Sequence, residues 1–162
     1  MKRTVSWDRG TRFERVGRFE LGACAERVFP LLCPVLEYEW LPGWSCTMIY
    51  ADSGRAERDA VFTTRERMHR RAVWTLITYE APRLVEYLIV GGKDLVIRLS
   101  ISLRGSGPER SEVEWRMLFT ASPAMATMHL AGSFSEANFA AMMRDRERQL
   151  NHYLLEGSMI DG

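Results

Sequence analysis

The segment LVIRLSISL alternates without a break. Leu95, Ile97, Leu99, Ile101 and Leu103 fall on one side of an extended chain, and Arg98, Ser100 and Ser102 fall on the other. The same rhythm returns a few residues later. Val113, Trp115, Met117 and Phe119 share one face, and Glu112, Glu114, Arg116 and Thr120 the opposite one. Strands of this kind build a sheet with one wet and one dry face, and the dry face has to be covered. The C-terminal third supplies a cover. SFSEANFAAMMRDRERQLNHYLLEG opens with Ser133 and Glu136 at capping-box spacing and closes at Gly157. Phe139, Met142, Met143, Leu150, Tyr153 and Leu154 make one helical stripe, with Arg144, Asp145 and Arg148 outside it and Glu147 at its edge. A helix over 135–156 would run roughly 33 Å, enough to cross a small sheet.

The remaining segments are read in the same terms. Arg12 to Gly22 alternates loosely and ends at a glycine, which predicts a first strand. ACAERVFPLLC follows with Val28, Leu31 and Leu32, and Pro30 breaks it into a short helix and a second short turn carrying Glu37 to Trp40. After the turn at Pro42 and Gly43, strands are expected over 44–51, 60–64, 72–81, 83–92, 94–105 and 111–121. Short connections pair neighbours antiparallel as a meander. The fold class is therefore α+β, with an antiparallel sheet of about seven strands, two short helices after the first strand and one long C-terminal helix. No repeat or linker divides the chain, so residues 1–162 are read as one domain.

Charge narrows the partners. The 22 basic and 21 acidic residues leave a net charge of +1, which gives no electrostatic reason to expect nucleic acid. The arginines alternate with acids, as in RDRERQ and TRERMHRR, and read as a solvated face laced with ion pairs. No apolar run is long enough to cross a bilayer, and MKRTVSWDRGTRFER has no apolar core behind its basic start, so membrane insertion and a signal peptide are not expected. Cys24, Cys33 and Cys46 are an odd set without C-x-x-C spacing, which suits free thiols in a reducing cytoplasm.

PVLEYEWLPGWSCTMIYADSGRAERDAVFTT, the tryptophan of AVWTLITYE, and EANFAAMMRDRERQLNHYLLEG resemble the SRPBCC superfamily, which holds START lipid-transfer domains, polyketide cyclases and pollen-allergen-like proteins. More narrowly, the chain is similar to small bacterial SRPBCC proteins of undetermined function, and the resemblance spans about 13–157. It implies the helix-grip fold, a curved sheet wrapped around the long helix with an apolar cavity between them. It implies no cofactor and no catalytic motif, so function has to come from the site.

Few residues offer reaction chemistry. His69, His129 and His152 have no H-x-H or H-x-x-x-H spacing and no cysteine pair to join them, so no metal site is expected. No G-x-S-x-G elbow is present, and GGK at 91–93 reads as a hairpin turn and not a phosphate loop. His129 is retained as a candidate because MATMHLAGS lies where the chain enters the long helix; a locally hydrogen-bonded surface histidine is the competing reading. Glu37 and Glu39, two residues apart, cannot share one helical face, so one is expected in solvent and the other at the cavity or capping nearby backbone. A carboxyl held against Trp40 and Trp44 would have a raised pKa and would suit a general acid or base.

The inward faces predict the cavity lining. The strands offer Met48, Tyr50, Tyr79, Tyr87, Ile97, Leu99, Trp115, Met117 and Phe119; the helix offers Phe139, Met142 and Met143; the segment over 37–44, with Trp40 and Trp44, closes the mouth. Arg146 sits beside the stripe, its head either at a ligand's acidic group or in solvent. The strand over 72–80 is apolar on both faces, which leaves the relative phase of Trp74 and Tyr79 open. Three functions remain: binding of a small apolar, aromatic or lipid-like ligand; a polyketide cyclase or dehydratase using Glu37, Glu39, a tyrosine or His129; and a homodimeric interaction module without a ligand.

Overall fold

The computed structural model describes residues 9–65 and 71–160; His69 and most of the charged loop around it lie outside these. Seven strands form one antiparallel sheet in the order β1-β7-β6-β5-β4-β3-β2. They are β1 (Thr11–Leu21), β2 (Cys46–Tyr50), β3 (Val61–Arg65), β4 (Arg71–Glu80), β5 (Leu84–Gly91), β6 (Leu95–Gly107) and β7 (Arg110–Ala121). Between β1 and β2 come α1 (Ala25–Val28), a 3-10 turn (Phe29–Leu32) and the single turn α2 (Glu37–Trp40). After β7 come α3 (Pro123–Ala131) and α4 (Glu136–Glu156). The curved sheet grips α4, as the order of elements predicts.

Alternation decides which face is dry. Every second residue of β6 from Leu95 to Leu103 is buried, and so is every second residue of β7 from Ser111 to Ala121. The opposite face carries an ion-pair mesh across β1 and β7. Arg18 donates to Glu114, and Arg116 bridges Glu114 at 3.0 Å and Glu14 at 2.8 Å. Exposed pairs of this sort stabilise little individually, so the dry face and its cover carry the fold.

Two elements depart from the sequence reading. α4 is capped two residues beyond Ser133 of the Ser133–Glu136 box: Ser135 is the N-cap, its Oγ accepting from the Asn138 backbone N–H at 3.3 Å. The far end closes as expected, with Gly157 in the left-handed region at φ 69° and its N–H on the Tyr153 carbonyl. α3 was not anticipated. Its apolar residues form no stripe, but Ser122 before Pro123 is a cap followed by proline at the first helical position, and the Ser122 hydroxyl does accept from the Met125 N–H.

β-Bulges settle the ambiguous phases. In β4 the register shifts between Leu76 and Thr78, so Trp74 pairs Ile89 while Tyr79 pairs Val85. Ile77 is the extra residue, and it brings Trp74 and Tyr79, five positions apart, onto the same concave face. In β2 the register shifts between Met48 and Tyr50, and Tyr50 comes to lie opposite Val61 on the outer face.

The close approach of α4 is to β1, where Gly17 lies under Met143. A Cβ on Gly17 would collide with Met143 Cγ. Gly17→Val is therefore expected to destabilise the protein by about 1–3 kcal/mol, the usual cost of overpacking. Met143→Ala in the same chain should return part of that loss in a urea-denaturation double-mutant cycle; strictly additive losses would show that the contact does not hold α4 against β1.

Candidate functional site

The turn that carries Glu37 is shaped by prolines and pinned by aromatic donors. Pro30 and Pro34 interrupt helix formation between α1 and α2. Trp40 Nε1 then donates to the Leu31 carbonyl, Tyr87 Oη to that of Leu32 and Trp44 Nε1 to that of Pro34, each at 2.8 Å. Tyr38 Oη accepts from the Cys46 N–H at 2.8 Å and ties the turn to β2. With the turn fixed, Pro34, Glu37, Leu41 and Trp44 face inward at spacings of three, four and three. Tyr38 and Glu39 point outward.

Inward lies a cavity of about 230 Å³ between the sheet and α4. Phe62 stacks on Trp74 at 5.3 Å, and Trp44 and Tyr87 meet Trp74 edge-on at 6.0 and 5.8 Å. Ile89, Leu95, Ile97, Leu99, Ile101, Trp115 and Met117 complete the sheet wall. His129 of α3, Phe134 of the α3–α4 link, and Met142 and Arg146 of α4 form the facing side. Trp115 Nε1, His129 Nε2 and Arg146 Nε are buried and have no hydrogen-bond partner among the described residues. Arg146 uses Nη1 to donate to Gln149 Oε1 at 3.0 Å.

Two buried glutamates, Glu37 in the cavity and Glu86 on the opposite face of the sheet, show what burial with and without hydrogen bonds does to charge. Glu37 is 9% exposed and Glu86 8%. Burial alone would raise the Glu86 carboxyl, but Thr78, Arg98 and Ser100 donate to it and bring it below the ordinary value. Glu37 has no hydrogen bond and no ion pair among the described residues. Burial pushes its pKa from 4.5 up to about 8, with the Arg146 charge only partly opposing. At neutral pH Glu37 is a protonated acid. The same burial lowers the Arg146 pKa, with Glu37 opposing, and a guanidinium stays charged through any such shift. An acid that keeps its proton and a cation without a carboxylate partner thus share one apolar chamber.

The structure brings together Glu37, His129, Trp44, Tyr87, Ile97, Leu99, Trp115, Met117 and Met142 on the cavity wall. It places the other expected lining residues elsewhere, each for a local reason. Trp40 is fully buried in the turn itself, facing the Leu31 carbonyl. Tyr50, turned outward by its bulge, is 59% exposed and hydrogen-bonds Asp52. Met48 faces the core at the sheet edge, beyond the cavity wall. Tyr79 has the concave phase but lies at the end of β4, edge-on to Phe29 at 5.2 Å. Phe119 is sealed off by Phe13 at 4.4 Å and Phe134 at 4.6 Å. Phe139 and Met143 face β1 and an open, charge-lined groove beside it. Phe62, Phe134, Pro34, Leu41 and Ile89 were not anticipated; AVFTT does not alternate and carries no signal of the way Phe62 faces.

A curved sheet closed over an apolar chamber by a C-terminal helix is the helix-grip fold of the SRPBCC superfamily. The chain belongs to the polyketide cyclase/dehydrase and lipid transport family, whose profile matches residues 7–152. No curated protein matches it. Among solved structures it is similar to a truncated norcoclaurine synthase from Thalictrum flavum, with TM-score 0.67, 14% identity, and 94% of this chain and 99% of that one covered. It is similar to a protein from Arthrobacter aurescens, with TM-score 0.58, 19% identity, and 90% and 86% covered. It also resembles DynU16, a putative protein of the dynemicin biosynthetic locus, with TM-score 0.61 and 14% identity; 90% of this chain covers 48% of that one. At these identities the likeness is one of fold.

The Glu37 shift fixes a sign. Between pH 4.5 and about 8 the folded chain holds a proton on Glu37 that the unfolded chain has released, so stability falls as pH rises through that window. The slope from this group is at most about 1.4 kcal/mol per pH unit. Glu37→Gln, which cannot ionise, is expected to flatten the urea-denaturation profile there and to be the more stable form at pH 9. An unchanged slope would show that Glu37 titrates at its ordinary value.

Proposed function

We propose that this protein encloses a small, largely apolar molecule, flat enough for an aromatic-walled slot, in the cavity between sheet and α4. The observation that carries this reading is the cavity itself, whose apolar walls hold three buried nitrogens with no partner among the described residues. Buried polar groups are normally satisfied, and a site with a few convergent ones in an apolar pocket is what small-molecule recognition uses. The volume suits one or two fused rings or a short acyl chain. Free Cys24, Cys33 and Cys46 suit a cytoplasmic setting. An interaction module without a ligand is the less favoured reading, because the cavity is not filled by the protein's own side chains.

Glu37 favours a second, stronger reading, an enzyme of cyclase or dehydratase type. A carrier needs no acid in its lining; this cavity holds one that keeps its proton at neutral pH and makes no hydrogen bond among the described residues. In a dehydration Glu37 would give its proton to a departing hydroxyl as the C–O bond breaks, and its carboxylate would take the proton from the adjacent carbon as the double bond forms. Water is released and the acid is restored.

Native mass spectrometry of the purified protein, with identification of any bound compound, is the first test. Leu99→Trp should fill the slot and abolish binding of that compound while leaving circular dichroism unchanged; retained binding would place the ligand elsewhere. Conversion of a bound hydroxy-carbonyl compound should fall at least about a hundredfold in Glu37→Gln with binding retained. Equal turnover in the variant would remove Glu37 as the acid, and absence of turnover in the wild type would leave the carrier reading standing and end the enzymatic one.

A further inference from the structure

The groups on the cavity wall are unbalanced in both hydrogen-bonding sense and charge. Arg146 Nε–H and Trp115 Nε1–H can only donate, both are buried, and neither has an acceptor among the described residues. Of the other donors at the wall, Tyr87 Oη is committed to Leu32, Trp44 Nε1 to Pro34 and Trp74 Nε1 to Thr64, while the acid proton of Glu37 is a further donor without an acceptor among the described residues. The one carboxyl in the chamber, Glu37, lies beyond ion-pair distance of Arg146. Asp145, the neighbour of Arg146 on α4, is exposed and pairs with Arg148 at 3.5 Å. Among the described residues the chamber therefore has one positive charge more than it has negative.

We propose that the ligand favoured by this cavity carries an anionic oxygen, a carboxylate or an enolate, set against Arg146 and Trp115 on a flat apolar body. The proposal rests on the reading of the cavity as a ligand site and adds the charge and polarity of what enters it. An anionic oxygen there supplies the two missing acceptors and the missing counter-charge together, and charge-assisted hydrogen bonds are the strong ones in a dry site. A neutral amide oxygen satisfies the donors but leaves the guanidinium uncompensated. A cationic ligand meets Arg146 with no carboxylate to offset it. His129 Nε2, also without a partner, lines the same cavity from α3.

The proposal carries a pH signature. The titratable and charged groups around Glu37 are Arg146 from α4, His129 from α3, Tyr87 from β5 and Cys46 from β2. Tyr87 is held protonated well above its ordinary value, first by burial and then by Glu37. Above pH 8 Glu37 becomes the internal counter-ion of Arg146 and repels an incoming anion.

The test uses the full chain and two probes of one shape, naphthoate and the neutral naphthamide, titrated by calorimetry. At pH 7 naphthoate should bind at least about tenfold tighter than naphthamide. Arg146→Met should bring the two to parity and Arg146→Lys, which keeps the charge and guards against a folding failure, should keep the preference. Trp115→Phe should weaken naphthoate severalfold. Between pH 7 and 9 wild-type affinity for naphthoate should fall, and in Glu37→Gln it should not. Equal affinities in the wild type, or a preference that survives in a folded Arg146→Met, would overturn the anion assignment and leave the ligand cavity in place. Binding of neither probe to a protein already loaded with an identified neutral compound would likewise overturn the assignment alone. Binding of neither to a protein shown to be empty would overturn the cavity reading and the assignment with it.

Discussion

The carbonyls of Leu31, Leu32 and Pro34 sit where two prolines have stopped the helix, and each is met by a ring donor: the indoles of Trp40 and Trp44 and the phenol of Tyr87. Leaving such buried acceptors unmet would cost about 1–3 kcal/mol apiece, so the turn has one low-energy seat on the sheet. Glu37 inherits that seat. Its carboxyl faces the cavity because the backbone around it is tied on three sides, and its proton stays because none of those ties ends at the carboxyl. The acid and the Trp44 and Tyr87 part of the aromatic wall thus depend on the same three hydrogen bonds.

The second determinant is how α4 rests on the sheet. It approaches β1 closely because Gly17 presents no side chain, and elsewhere it is held off by Met142, Arg146 and the rings opposite. A helix seated flat across all seven strands would leave a filled core. One lowered at an edge leaves a wedge of space over the middle strands, and that wedge is the cavity.

Much of this was legible in the sequence. Strict alternation in β6 and β7 assigned the dry face residue by residue, and the α4 stripe and Gly157 told where the cover ran. What alternation reports is the side on which a residue lies, and not whether a neighbour fills the space in front of it. Phe119, Phe139 and Met143 are on the predicted sides yet stand outside the cavity, because Phe13, Phe134 and β1 occupy those spaces. Tyr50 was lost to a bulge that no pattern announced. Glu37 and Glu39 could be separated only as a pair with one member inward, since the choice was set by ring donors that reach carbonyls nine and more residues from themselves. Arg146, read as balanced between ligand and solvent, is retained inside.

The bulge at Ile77 has a consequence for how such a cavity can change. Alternation along a strand is a two-letter code, and substitutions alter the letters without altering their order. An inserted residue reverses the order for everything beyond it. β4 is in effect two short strands of opposite parity joined at Ile77, one presenting Trp74 to the chamber and the other presenting Tyr79 towards Phe29 at its rim. Loss of the Ile77 codon would leave Thr78 opposite Glu86 and Tyr79 opposite Val85, so the distal residues would keep their faces and only the bulge would go. In this architecture the strand can lose a residue at the joint without relining either the rim or the floor.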